Sequence, residues 1–181
     1  MRRVSVVGNA GSGKTTLARR LASALGVPLI ELDAIHHLPN WEPIDPARFQ
    51  AIVEEMTAAD GWVIDGNYRV VVSDGPVWAR ADTVVWLDPP RRTVMRQVIQ
   101  RSLWRVLTRR QLWNQNRERL SNLFAWDPEE SVIRWAWTQH DKYRDRFESA
   151  MGSPDLAHLR FVRLRSRRQA ERLLREAAAS G

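Results

Sequence analysis

Apolar residues along this chain fall into short, nearly unbroken runs separated by longer stretches where they recur every three or four positions. Val4 to Val7, Pro28 to Leu32 (PLIEL), Trp62 to Asp65 (WVID) and Thr83 to Leu87 (TVVWL) are the runs. They are too short for helices and read as strands of a parallel sheet covered on both faces. A further strand is predicted at 159–164, and the helical period predicts helices over 14–25, 46–58, 89–108, 128–148 and 167–178. Asp45-Pro46, Asp88-Pro89 and Asp127-Pro128 each offer an N-cap before a first-turn proline. Asp127 with Glu130, and Ser166 with Gln169, have capping-box spacing. Strands alternating with helices predict an α/β chain, a three-layer sandwich forming a single domain over 1–181.

Between the first strand and the first helix stands GNAGSGKT, Gly8 to Thr15, the full G-x-x-x-x-G-K-[ST] spacing of a phosphate-binding loop. Its glycines let successive backbone N–H groups turn inward on a polyphosphate, which then meets a helix N-terminus. The candidate triphosphate site is Gly8, Asn9, Ala10, Gly11, Ser12, Gly13, Lys14, Thr15 and Thr16. Lys14 would reach the β- and γ-phosphates and the Thr15 hydroxyl would sit on Mg²⁺, with ATP as co-substrate.

Composition narrows the chemistry. There are no cysteines among the 181 residues, which excludes disulfides, thiolate metal sites and Cys nucleophiles. No uncharged apolar run reaches membrane-spanning length and the glycine loop interrupts any signal-like stretch, so a cytoplasmic protein without a membrane partner is expected. The net charge of +7 is unevenly spread. Nine Arg face only Glu118 over 89–119, and seven face only Glu171 over 159–175, which points to an anionic partner such as a nucleotide or a nucleic-acid backbone. Of the nine Trp, core packing is expected for Trp62, Trp86, Trp135 and Trp137. Trp104 and Trp113 lie among arginines, where base stacking is the alternative to packing.

Phosphates with Mg²⁺ need a carboxylate at a neighbouring strand end. Asp65 closes WVID in the manner of a Walker-B strand and is the candidate to hold the metal, partly through water. Glu31 and Asp33 close PLIELD two residues apart, hence on one side of an extended chain. Asp33 is the candidate to orient or deprotonate an acceptor hydroxyl.

The loop, Asp65-Gly66-Asn67-Tyr68-Arg69 and the Arg-rich helix resemble the adenylate-kinase-related P-loop kinases. Within them the chain is most similar to the bacterial DNA topology modulation proteins, through GNAGSGKTTLARRLA, PLIELDAIHHLPNW, WVIDGNY, ADTVVWLDPP and WNQNRE. The resemblance implies a five-stranded parallel sheet of order 2-3-1-4-5, a lid at about 109–127 and an acceptor-binding segment at about 33–60. It makes Asp65, Arg69 and Arg48 candidates for the acceptor, and Arg101, Arg105 and Arg117 candidates for the transferring phosphate, with Arg134 a weaker match. The Glu31-x-Asp33 pair is similar instead to shikimate- and gluconate-type kinases, whose strand-end Asp meets a hydroxyl-bearing substrate. The expected activity is ATP-dependent phosphoryl transfer to a small-molecule acceptor by a monomer or homodimer. A nucleotide-dependent nucleic-acid-binding regulator is the alternative, and a plain ATPase switch ranks last.

Overall fold

The computed structural model describes residues 1–108 and 131–180. Five strands, β1 (Arg3–Gly8), β2 (Leu29–Glu31), β3 (Trp62–Asp65), β4 (Thr83–Leu87) and β5 (Arg160–Leu164), form one all-parallel sheet in the order β2-β3-β1-β4-β5. This is the predicted architecture. The helices are α1 (Lys14–Leu25), α2 (Leu32–His36), α3 (Pro46–Met56), α4 (Pro76–Arg80), α5 (Arg91–Leu107), α6 (Val132–Met151) and α7 (Arg167–Ser180).

Strand pleating sends alternate residues to opposite faces, and each face is capped by helices. Val4, Val6, Val63, Val85 and Leu87 meet Leu17 and Leu21 of α1 and Leu173 and Leu174 of α7. Val7, Trp62, Ile64, Val84 and Trp86 meet Phe49 and Val53 of α3, Trp78 of α4 and Phe147 of α6. The buried indoles are also satisfied: Trp62 Nε1 donates to the Thr57 carbonyl and Trp78 Nε1 to Ser5 Oγ. A third, smaller cluster joins Val94 and Val98 of α5 to Ala136 of α6, with Ala10 of the glycine loop packed against it.

Several boundaries differ from the sequence reading. Asp45 caps α3 as expected, accepting from Arg48 N at 2.9 Å. Ser166 accepts from Gln169 N, while the Gln169 side chain reaches back to Arg165 N, one residue earlier than a capping box requires. Asp88 is no cap. Helix α5 starts two residues beyond Pro89, with Thr93 N and Val94 N on the Pro90 carbonyl, and the buried Asp88 carboxylate instead meets Arg144, Arg163 and Arg165. Asp127, Pro128 and Glu130 lie outside the described residues, and the cap of α6 is Ser131. Trp135 and Trp137 are not core residues. The inward face of α6 is Ala136, His140, Tyr143 and Phe147 at helical spacing, which leaves Trp137 54 % exposed and Trp135, 37 % exposed, on the cleft beside Tyr143. Among the described residues no helix is long and apolar enough to cross a membrane.

Candidate active site

Strand β1 is central in the sheet, so Gly8 at its C-terminal end opens the loop between the ends of β3 and β4. Gly13 caps α1 with φ +98°, and a Cβ there would meet nothing nearer than Leu87 Cδ2 at 3.8 Å. That open space lies over the first amides of α1, where the helix dipole favours an anion. Lys14 arches over the loop and its Nζ donates to the Asn9 carbonyl at 3.0 Å. Burial lowers the pKa of its ammonium; the charges of Asp65 and Asp33 oppose that, and nearby Arg101 adds to it. A polyphosphate here would supply the missing negative charge.

Two asparagines hold the loop, and sequence reasoning gave neither a positioning role. Asn67 clamps Gly8 from both sides, its Nδ2 donating to the Gly8 carbonyl at 2.6 Å and its Oδ1 accepting from Gly8 N at 3.1 Å. Asn9, nearly buried, accepts from Ala10 N at 2.8 Å and donates to the Ala136 carbonyl of α6 at 2.6 Å. Asn67 lies within the 65–69 segment that carries the resemblance, but only the folded register shows what its amide meets.

Register places Asp65 opposite Val6, two residues short of the loop. Thr15 Oγ1 donates to Asp65 Oδ2 at 2.5 Å, while Asp65 Oδ1 is buried and accepts no hydrogen bond among the described residues. Burial raises the pKa of this carboxyl, opposed by the Lys14 charge and the Thr15 hydroxyl. A hydroxyl beside a carboxylate with one orphaned oxygen is a donor set that fits Mg²⁺ shared with phosphate oxygens.

Along the cleft, β2 ends at Glu31 and the chain turns into α2, so Glu31 and Asp33 do not share an extended side as expected. Glu31 is taken by Arg19 at 2.7 Å. Asp33 lines the cleft and its Oδ1 accepts from the Tyr68 hydroxyl at 2.7 Å. Burial, with the Asp33 charge and hydrogen bond, pushes the Tyr68 phenol far above its ordinary pKa, so it stays a donor. The Tyr68 ring stacks on His36 at 4.5 Å, and His37 Nε2 lies 3.3 Å from its hydroxyl. Burial, then the neighbouring His37, lowers the pKa of the His36 imidazole.

The arginines divide. Arg101 lines the cleft near Lys14. Arg105 follows one turn later on α5 but its side chain, like all of Arg117, lies outside the described residues, as does the lid segment 109–127. Arg69 is exposed and engaged by Asp74 at 2.6 Å, and Arg48 is exposed on α3. Neither is among the residues lining the cleft, which at its other end passes Arg165, Ser166 and Arg167.

Residues 4–72, from β1 past Asp65, match the family described as "ATPase family associated with various cellular activities (AAA)". Cytidylate kinases of Nitratidesulfovibrio vulgaris are similar over 66 residues, at 36 % identity for strain Hildenborough and 38 % for strain DP4, covering 35 % of this chain. The chain spans only 28 % of the length of those curated relatives. Whole-chain likeness comes from solved structures. Shikimate kinase from Acinetobacter baumannii in complex with shikimate aligns over 99 % of this chain and 94 % of its own, with TM-score 0.57 and 17 % identity. Shikimate kinase from Bacteroides thetaiotaomicron aligns over 99 % and 97 %, with TM-score 0.54 and 17 % identity. The fold is therefore the one these P-loop kinases have.

Proposed function

We propose that this chain transfers the γ-phosphoryl group of Mg-ATP to a hydroxyl of a small-molecule acceptor. One observation carries the reading: a phosphate loop with half-buried Lys14 and the Thr15–Asp65 contact shares one cleft with a second, separately placed carboxylate, Asp33. A protein that only binds nucleotide needs the first arrangement and has no use for the second.

Phosphoryl transfer asks mainly for positioning and charge neutralisation. The loop amides and Lys14 would hold the β- and γ-phosphates, and Arg101 beside Lys14 would face the charge spreading over the transferring group. Thr15 and Asp65 would hold Mg²⁺, which when bound would supply positive charge to offset that of the phosphates. Asp33 would accept the acceptor proton on Oδ2, since Oδ1 is used by Tyr68. We also infer, from the segments it shares with the DNA topology modulation proteins, that the chain is of that kind, with its work done on a small molecule. A nucleic-acid partner draws little support from the second basic block, where Arg163 and Arg165 meet Asp88, and Arg172 meets Glu176.

Lys14→Ala should lower acceptor-dependent ADP formation by roughly 10²–10³-fold, the scale for losing one preorganised charge donor. Circular dichroism should remain that of the parent chain. A folded Lys14→Ala protein that turns over Mg-ATP like the parent would end the kinase reading.

A further inference from the structure

The proposal above leaves the acceptor open, and the far end of the cleft, taken on that reading, narrows its chemistry. We propose that the acceptor is an uncharged alcohol carried on a ring, of nucleoside or sugar type, seated against Trp41 with its reacting hydroxyl on Asp33, and not a phosphate ester or carboxylate.

Charge argues first. On the cleft wall Asp33, Tyr68, His37 and Trp41 form a chain of contacts. Among them Asp33 is the fixed charge, and it is negative. The two arginines suggested for an anionic acceptor are not in the cleft lining: Arg69 is held on the outside by Asp74, and Arg48 is exposed on α3. An acceptor phosphate placed beside Asp33 would meet a like charge, with Tyr68 already donating its hydrogen to Asp33.

Shape argues second. Asn40 and Trp41 both have left-handed backbone, φ +62° and +64°. For tryptophan this is a costly conformation that persists only where the surroundings impose it. Here they do. Leu38 N donates to the Glu42 carbonyl at 2.7 Å, Ile44 N donates to the His36 carbonyl at 2.8 Å, and His37 bridges to Pro43. The loop thus fixes the Trp41 indole on the cleft wall, edge-on to His37 at 5.3 Å and 36 % exposed. A strained, partly exposed indole on the same cleft wall as a carboxylate, linked to it through His37 and Tyr68, suits a ring face on one side and a ring hydroxyl on the other.

The test is a steady-state comparison of matched pairs with the full chain and Mg-ATP. Adenosine, uridine and myo-inositol are set against AMP, UMP and inositol 1-phosphate, with shikimate as a ring carboxylate. The uncharged members should include the best acceptor, exceeding its charged counterpart in kcat/KM by about a hundredfold or more. Trp41→Ala should raise the KM of that acceptor about tenfold while the KM of Mg-ATP stays unchanged, and Trp41→Phe should restore most of the loss. The unchanged Mg-ATP constant also shows that the variant is folded. Preference for a phosphorylated or carboxylated member overturns the inference and leaves the kinase reading standing. So does Trp41→Ala with an unaltered acceptor KM. Mg-ATP binding with no turnover of any uncharged member also overturns it, whereas loss of Mg-ATP binding itself strikes the kinase reading.

Discussion

Gly11→Ala is the sharpest probe of how the phosphate loop is held. Gly11 has φ +76°, and a Cβ built there would lie 2.1 Å from Val98 Cγ2 and 3.3 Å from Val98 Cβ. Ordinary contact begins at 3.4 Å, so the valine methyl would have to retreat by roughly 1.3 Å. Val98 cannot swing into solvent, because it is fully buried with Val94 and Ala136. Two costs therefore add: about 1–2 kcal/mol for alanine in left-handed backbone and about 1–3 kcal/mol for overpacking. The expected loss is about 2–5 kcal/mol in urea unfolding. The displaced element is α5, which carries Arg101 three residues beyond Val98, so acceptor-dependent turnover should fall as well.

Val98→Ala separates the two costs. Alone it leaves a small cavity and should cost about 1–3 kcal/mol. Combined with Gly11→Ala it removes the clashing methyl but not the backbone strain, so the double variant should be less destabilised than the two losses together by about 1 kcal/mol or more. Additivity to within about 0.3 kcal/mol would refute the contact and, with it, the claim that α5 packs on the loop apex.

Asp65→Asn should lose Mg²⁺-dependent ATP binding, read as the difference in ATP affinity with magnesium and with EDTA, while unfolding at the same temperature or higher. The sign follows from burial: a carboxyl whose folded pKa is raised costs stability when ionised, fully so above that pKa and not at all below the unfolded value. In the parent, the magnesium effect should likewise fade with acidification at a higher pH than an ordinary aspartate would allow; a destabilised variant with intact magnesium dependence would contradict both. Asp88→Asn should cost about 2–3 kcal/mol, less than for a fully buried pair because Arg144 and Arg163 keep some contact with water. A change within about 0.5 kcal/mol in urea unfolding would remove Asp88 as the tie between β4, β5 and α6.

Local signals in this chain are legible in its sequence, and long-range ones are not. The four apolar runs and GNAGSGKT are each contained within a few residues, and strands, loop and α1 follow from them. Asp65 was legible because an aspartate ending a strand beside the loop has few other places to go. Helix α4 was missed, although Gly75-Pro76 marks its start, because five residues are too few to show a period. Trp78 on it is a core residue for the same unseen reason. The capping reading of Asp88 failed through tertiary competition: a buried carboxylate with three arginines in reach goes to them, and the helix then starts without it. Arg69 and Arg48 show the limit most plainly. A guanidinium on a long chain reaches many partners, and where it settles depends on which carboxylate the fold brings near.

The two cleft carboxylates illustrate what the fold adds to residues already suspected. Sequence reasoning gave Asp65 the metal and Asp33 the acceptor, but set both on strand ends, with Glu31 as the partner of Asp33. Register sets Glu31, not Asp33, opposite Asp65, and the turn into α2 then carries Asp33 off the strand. Asp65 is left buried against Thr15 and Lys14, where a divalent cation and phosphate oxygens can use it. Asp33 is left on the open wall with Tyr68 fixing one oxygen, where a substrate hydroxyl can use the other. Two carboxylates in unlike surroundings can take unlike tasks at one pH. On the proposed reading, that separation, produced by a single short helix after β2, is what would turn a phosphate-binding loop into a site with room for a second substrate.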